Sequence, residues 1–306
     1  MSIKVFGHRS PDTDSTGSPL IWAWYLSEIR GTPAAAVLLG EPNTEAAFVL
    51  QRWGFGRPEI IGDVTEDDRC VIVDTNNLHE LPASINDAQV IEIIDHHLMQ
   101  GGLKTRTPIA VTIRPLACTA TIMYQLMGAD AERMPEAIKG LMLSCILSDT
   151  LEFRSPTTTD TDRDLAERLA DDLGIDIPGY AAEMFAAKSD VSAFSATDLL
   201  RMDSKEYELE GTKLRISVLE STAPATVLSR KAELLEAMPR VAREEGLDEV
   251  LLFVIDILKE EATLLLASDR ARSIAEKSFG ASPEGDHVVL PGIMSRKKQI
   301  IPAIRV

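Results

Sequence analysis

The sequence predicts two successive α/β domains, an N-terminal doubly wound, mostly parallel sheet and a smaller C-terminal α/β domain. Three observations carry that reading. Short apolar runs alternate with stretches of helical periodicity through the first half, the order that a sheet with crossover helices requires. Two of those runs, RCVIVDT and QVIEIIDHH, are continuously apolar, as strands buried on both faces are. A polar, small-residue stretch, AAKSDVSAFSA, then breaks the pattern before strand and helix signals resume.

In order, Ile3 to Phe6 reads as a strand, a helix is expected from about Ser18 to Arg30, and AAAVLLG is a second strand. Asn43 caps a helix that runs to Trp53. After the two apolar strands, helical periodicity marks Thr119 to Leu126, Pro135 to Asp149 and Asp160 to Leu173. RSPTTTD reads as a turn followed by an Asp helix cap. The second half holds the strand KLRISVLES, a helix from Ser229 to Glu245 and two strand runs in EVLLFVIDILKEEATLLLAS. A helix from Arg270 to Phe279 and a last strand near HVVLPGI complete it. The expected boundaries are residues 1–188 for the first domain, 189–196 for the linker and 197–306 for the second domain.

Apolar residues at 45% and charged residues at 26% are globular values, so neither disorder nor a fibrous repeat is expected. The formal charge of −17 repels phosphate backbones and argues against nucleic-acid binding. An anionic substrate then needs a locally positive site. Cys70, Cys118 and Cys145 show no CxxC spacing, which disfavours a disulfide framework or thiolate zinc and points to a reducing compartment. The first residues run straight into a strand pattern, and no apolar run approaches the ~18 residues of a membrane span. A cytoplasmic protein without membrane contact is expected.

Metal-ligand residue types stand at the ends of separate apolar elements. GHRSPDTDS follows IKVF and supplies His8, Asp12 and Asp14; DTNN follows CVIV and supplies Asp74. DHH follows VIEII and supplies Asp95, His96 and His97, while LMLSCILSDT places Asp149 near its end. Any one such Asp is more often a cap or turn former. Their coincidence argues for a site, because open α/β sheets bind ligands outside the carboxyl ends of their strands. Carboxylates with imidazoles favour Mn²⁺ or Co²⁺ over a dedicated Mg²⁺ site, and the lack of Cys disfavours structural zinc. Asp12 and Asp14, two apart in one loop, point in different directions and can serve different ions, with Asp74 and Asp149 as bridges. Four carboxylates neutralise two divalent ions, so a polyanion needs further cations. SRKKQ offers Arg296 as a bidentate donor and Lys297 and Lys298 as point charges. Two ions about 3.5–4 Å apart acidify a shared water and stabilise the oxygens of an in-line displacement, which suits phosphoanhydride hydrolysis. His79 and His287 are expected at the surface.

GHRSPDTDS, DTNN, DHH, SDT and SRKKQ, in this order along essentially the whole chain, resemble the family II inorganic pyrophosphatases of the DHH phosphoesterase superfamily. The pairing of DHH with a C-terminal SRKKQ makes the resemblance specific. It implies hydrolysis of pyrophosphate to two phosphates by a hydroxide bridging two Mn²⁺ or Co²⁺ ions per subunit, with Mg²⁺ accompanying substrate. It implies that His8, Asp12, Asp74 and Asp149 hold one ion, and Asp14, Asp74, His96 and Asp149 the other. It further implies that His97 donates a proton to the leaving phosphate, that Lys205, Arg296 and Lys297 bind substrate, and that Asp95 orients a histidine. A homodimer formed through the N-terminal domain is implied as well. Ala117, Cys118 and Thr150 depart from the family's usual small residues at positions that carry no chemistry. No regulatory nucleotide-binding insert separates the domains, so adenine-nucleotide control is not expected. Two alternatives differ in class. A DHH phosphoesterase on short oligonucleotides or 3′-phosphorylated nucleotides would carry a glycine-rich, His-containing motif that is missing here. A non-catalytic metal- or phosphate-sensing module would have lost ligands that are all present.

Overall fold

The apolar runs of the first half form one sheet of six strands: β1 (Ile3–Phe6), β2 (Ala34–Leu38), β3 (Glu59–Ile60), β4 (Arg69–Val73), β5 (Gln89–Asp95) and β6 (Ala110–Ile113). The structure is a computed structural model and describes residues 2–283 and 285–306. Strand order is β3-β2-β1-β4-β5-β6, and every neighbouring pair is parallel. The chain therefore leaves β1 and β4 in opposite directions, which opens a crevice at their carboxyl ends. Ile3, Val5, Val71, Val73 and Ile94 face helices α1 (Thr13–Trp24), α2 (Thr44–Arg52), α3 (Thr119–Met127), α4 (Glu136–Asp149), α5 (Asp160–Leu173) and α6 (Ile177–Lys188). The opposite face, with Phe6, Cys70, Ile72 and Ile93, is covered by Leu81 and Ile85 from the 3₁₀ segments between β4 and β5. A register shift at Cys70/Val71 leaves Ile91 as the extra residue of a bulge in β5, and it inverts which side chains of that strand meet the helices.

The first helix starts earlier than its expected Ser18. The Asp12 carboxylate accepts from Ser15 N at 2.9 Å and caps the helix at Thr13, so Pro19 falls in the second turn and not in the first. A π-helical turn, Tyr25–Ile29, carries the helix on to the expected end. The short edge strand β6 was not anticipated. Neither was α6, whose Pro178 and Gly179 read as loop signals although Pro is at home in a first turn and Asp176 accepts from Gly179 N at 2.9 Å.

Contacts divide the chain into two units, residues up to Ala187 and residues from Lys188 onward. In the second unit, α7 (Ala196–Met202) leads into β7 (Ser204–Leu209), β8 (Thr212–Ser221), the short α8 (Ala225–Leu228) and α9 (Lys231–Glu245). There follow β9 (Glu249–Asp256), β10 (Glu261–Leu265), α10 (Asp269–Phe279) and β11 (His287–Pro291). The sheet order is β11-β10-β9-β8-β7, with β8 and β9 parallel across the α9 crossover and the other pairs antiparallel. Every residue of the central β9 is buried, as its unbroken apolar run implies. β7 was not foreseen as a strand. Its SKEYEL is mostly polar, with only Tyr207 and Leu209 set inward at the two-residue period of an edge strand, and it joins β8 through Glu210 and Gly211, both at positive φ. Among the described residues no helix is long and apolar enough to cross a membrane. All three cysteines are free and buried, and burial pushes the Cys70 thiol up to about 12.

Helices α1 and α4 meet at Gly17, where a Cβ would lie 2.4 Å from Cys145 Sγ. Gly17 sits one turn beyond Asp14 and Cys145 one turn before Asp149, so this approach sets how closely the two carboxylates can come. Gly17→Ala is expected to lose about 1–3 kcal/mol to overpacking, against a helix-propensity gain of about 1 kcal/mol. Urea unfolding should show a smaller effect in a Cys145→Ala background, where the clashing sulfur is gone.

Candidate metal centre and cationic cleft

β1 ends at Gly7, where a Cβ would stand 1.9 Å from Ser15 Oγ, so only glycine lets the strand turn against the start of α1. His8 follows and is fixed by its backbone N–H, which donates to Ser15 Oγ at 2.7 Å. Its Nε2 lies 3.7 Å from Asp12 Oδ2 and 3.6 Å from Asp74 Oδ2. Asp12 caps α1 and Asp14 lies in its first turn, buried, accepting from Ser18 Oγ at 2.6 Å and from Thr119 N at 2.8 Å. The two belong to a helix start and not to an open loop, yet they face different neighbours. Asp74 ends β4 at φ 57°, a left-handed conformation that Asp tolerates better than most residues. Its N–H still donates to Ile94 O at 2.9 Å, so the turn begins only after the sheet ladder is complete.

β5 delivers Asp95, His96 and His97. His96 Nδ1 lies 3.2 Å from Leu116 O, and with that nitrogen engaged Nε2 is directed to Asp74 Oδ1 at 3.3 Å. His97 is held differently: its Nδ1 is 2.9 Å from Asp95 Oδ1 and 3.7 Å from Asp74 Oδ1, so Asp95 is its partner. Asp95 is fully buried and also accepts from His96 N, His97 N and Asn76 Nδ2. Burial opposes its ionisation, but the bonds from His97 and Asn76 outweigh that and hold the carboxyl below its ordinary range. The same hydrogen bond to Asp95 raises His97.

Asp149 lies at the end of α4 with Oδ2 buried and without a hydrogen-bond partner. Burial, followed by the Asp14 and Asp12 carboxylates, drives Asp149 well above the usual carboxylate range, and Asp74 is driven up in the same way by burial and by Asp14, Asp12 and Asp149. Ligand atoms of His8, Asp12 and Asp74 lie within 4.8 Å of one another, and so do those of Asp14, His96 and Asp149. Asp74 joins the two sets: Oδ2 faces His8 and Oδ1 faces His96. Crowded carboxylates, an orphaned buried oxygen and two imidazole nitrogens aimed inward fit divalent cations.

The second unit builds a cleft of ≈ 660 Å³ whose lining includes Asp203, Lys205, Tyr207, Ser295, Arg296 and Lys297. Lys205 shares a face with Tyr207 by the two-residue period of β7. In the SRKKQ segment, Ser295 Oγ accepts from Lys298 N at 3.3 Å, and Gln299 Oε1 accepts from Met294 N and Ser295 N, each at 2.9 Å. The flanking Ser and Gln therefore shape the turn that presents Arg296 and Lys297. Arg296 donates from Nη2 to Asp203 Oδ1 at 2.7 Å and from Nη1 to Asp203 O at 2.8 Å, which steadies the guanidinium and leaves its remaining N–H groups for another acceptor. His79 is exposed and donates from N to Asn77 Oδ1 at 3.1 Å, and His287 pairs with Asp286 at 3.0 Å.

Sequence reasoning passed over Asn76, Leu116, Thr119 and Asp203. Asn76 ties the DHH turn by donating to Asp95 and Leu98 O and accepting from Gln100 N at 2.7 Å. Thr119 donates from Oγ1 to Asp74 Oδ1 at 3.2 Å as well as from N to Asp14. Asn76 sits in DTNN, two residues beyond Asp74, and Asp203 two residues before Lys205.

The raised carboxyls predict how the metal-free protein responds to pH. In the unfolded chain Asp149 titrates near 3.8, and in the fold well above it. Below the lower value both states are protonated and the contribution is intact; as pH rises the unfolded chain ionises first, so stability falls until the folded carboxyl ionises too. Thermal unfolding in chelator from about pH 5 to about pH 8 should show a falling Tm that is shallower in Asp149→Asn and is reversed by saturating divalent metal. Equal slopes in wild type and variant would remove Asp149 from the repelling set.

Residues 2–148 match the DHH family, N-terminal domain, and residues 182–306 match the DHHA2 domain. A Deinococcus radiodurans protein named "Probable manganese-dependent inorganic pyrophosphatase" is 41% identical over 311 residues, covering 99% of this chain and 97% of that one. A Lactobacillus acidophilus protein of the same name is 35% identical over 302 residues, covering 98% and 96%. A Methanococcus jannaschii protein solved as a "putative family II inorganic pyrophosphatase" superposes with a TM-score of 0.61 at 33% identity, covering 98% of each chain. An exopolyphosphatase-related protein from Bacteroides fragilis shares the fold, with a TM-score of 0.53 at 13% identity and coverage of 98% and 89%. With full-length relatives at this level of identity, the chain belongs to the manganese-dependent, family II inorganic pyrophosphatases, a DHH domain followed by a DHHA2 domain.

Proposed function

We propose that this protein hydrolyses inorganic pyrophosphate to two phosphates at a dinuclear Mn²⁺ or Co²⁺ centre, with Mg²⁺ accompanying the substrate. The observation that carries the reading is the division of Asp74 between two ligand sets, His8 with Asp12 on one side and His96 on the other. Asp14 and Asp149 complete the second set, and the family pattern gives Asp149 a share in the first. When bound, the metal pair supplies an acidified water and stabilises the phosphoryl oxygens. The chain's own residues do the rest. His97, raised by Asp95 and half exposed, holds a proton at Nε2 that can pass to the leaving phosphate. Leu116 O keeps the Nε2 lone pair of His96 directed inward. Lys205, Arg296 and Lys297 are the cationic contacts for the anion, with Asp203 setting the guanidinium's angle. Location in the cytoplasm, where three free cysteines stay reduced, assembly as a homodimer, as the family resemblance implies, and no role in nucleic-acid or membrane binding, in keeping with a charge of −17, belong to the same proposal.

Phosphate release from pyrophosphate is expected to exceed by far that from a dinucleotide or a 3′-phosphorylated nucleotide; preference for either nucleotide overturns the reading. His97→Gln should lower kcat by about 10²–10⁴-fold with metal content retained. Asp74→Asn should lose metal, and Arg296→Ala should raise KM.

A further inference from the structure

We propose that Asp162, which is not itself a candidate ligand, positions the metal centre: its carboxylate clamps the segment Leu116–Thr119, through which His96, Asp14 and Asp74 are all oriented. The proposal rests on the metal reading above and adds a residue to it.

Asp162 lies in the first turn of α5 and forms a capping box with Thr159, which was not the simple Asp cap expected of RSPTTTD. Its Oδ2 accepts from Thr159 N at 3.1 Å and Thr159 Oγ1 at 2.6 Å, while its own N–H donates to Thr159 Oγ1 at 3.3 Å. These bonds suffice to cap a helix, and capping boxes need no burial. Asp162 is nonetheless 0% exposed, and its Oδ1 is buried without a hydrogen-bond partner. Burying a carboxyl oxygen in this way is unfavourable, so helix capping alone does not account for the arrangement.

A further bond, not part of a capping box, ties the carboxylate's Oδ2 to a distant segment. Ala117 N, distant in the chain and buried, donates to Asp162 Oδ2 at 3.0 Å. Ala117 stands between the two points at which its segment touches the metal centre. On one side Leu116 O is 3.2 Å from His96 Nδ1. On the other, Thr119 donates from N to Asp14 Oδ2 at 2.8 Å and from Oγ1 to Asp74 Oδ1 at 3.2 Å. One short segment thus meets three candidate ligands, and Asp162 holds its middle against α5. Groups that hydrogen-bond directly to metal ligands, as Leu116 O and Thr119 would, fix ring and carboxylate angles and typically alter metal affinity by about 10–100-fold when removed; Asp162 acts one bond further out, through that segment.

The test is the Mn²⁺ affinity of folded, full-length protein, read from the EPR signal of free Mn²⁺ during titration of the chelator-stripped enzyme. Asp162→Ala should weaken affinity by about 10-fold, the lower end of the range for direct partners. Asp162→Asn, which retains an oxygen at the Oδ2 position, should stay near wild type. Thr159→Ala removes the cap's hydroxyl but not the Ala117 bond, so it should lower Tm and leave affinity unchanged. If Asp162→Ala does not accumulate as folded protein, Asp162→Ser, one bond too short to reach Ala117, should show the same loss. Wild-type affinity in the folded Ala or Ser variant overturns the clamp, as does an equal loss in Thr159→Ala, which would mean helix capping only. Wild-type protein that takes up no Mn²⁺ would instead overturn the metal reading and the clamp together.

Discussion

Asp14 and Asp74, both buried, and the half-buried Asp149 are gathered into one crevice in which anionic carboxylates repel one another. Two like charges about 4 Å apart repel by roughly 4 kcal/mol at an effective dielectric constant near 20. A few such pairs rival the roughly 5–15 kcal/mol by which a domain is stable. The fold cannot hold these groups as bare anions at neutral pH. Either they keep protons or cations lie among them, and only the second option leaves oxygen lone pairs available as ligands.

The scaffold supplies some relief of its own. Asp12 caps α1, Asp14 lies in that helix's first turn, and Asp14 also takes the first N–H of α3. Helix N-termini stabilise nearby negative charge by about 0.3–1 kcal/mol each. That is several times smaller than a single repulsive pair, so the helix ends orient the carboxylates without neutralising them. The sheet order matters for the same reason. Reversal between β1 and β4 lets His8 and Asp74 approach from adjacent strands, and β5 brings His96 alongside.

Most of the strands were legible as unbroken apolar runs, and the candidate ligands were legible as Asp and His residues that stand close behind those runs or, for Asp149, at a helix end. Lys205 was assigned only through the family resemblance, since SKEYEL is too polar to announce an edge strand until β8 is beside it. The start of α1 was obscured by Pro19, which ordinarily marks a first turn, while the side-chain cap at Asp12 decided the true boundary. Thr119, Leu116 and Asp162 left no signal at all. Their roles arise from hydrogen bonds between distant parts of the chain, and one of the groups involved is a backbone carbonyl, available at any residue.

The adjacent histidines of the DHH turn show how such contacts divide labour. Both rings offer the same two nitrogens, and they differ in what Nδ1 meets. For His96 it is the neutral carbonyl of Leu116, which fixes a tautomer without adding charge and leaves Nε2 as a lone pair for a cation. For His97 it is the carboxylate of Asp95, which favours the protonated ring. Under the roles proposed above, a proton on His96 would cost the centre a ligand, whereas one on His97 would supply an acid beside the carboxylates. Interchanging the two Nδ1 partners would spoil both proposed roles, so the order of residues in the turn matters less than what the fold places behind each ring.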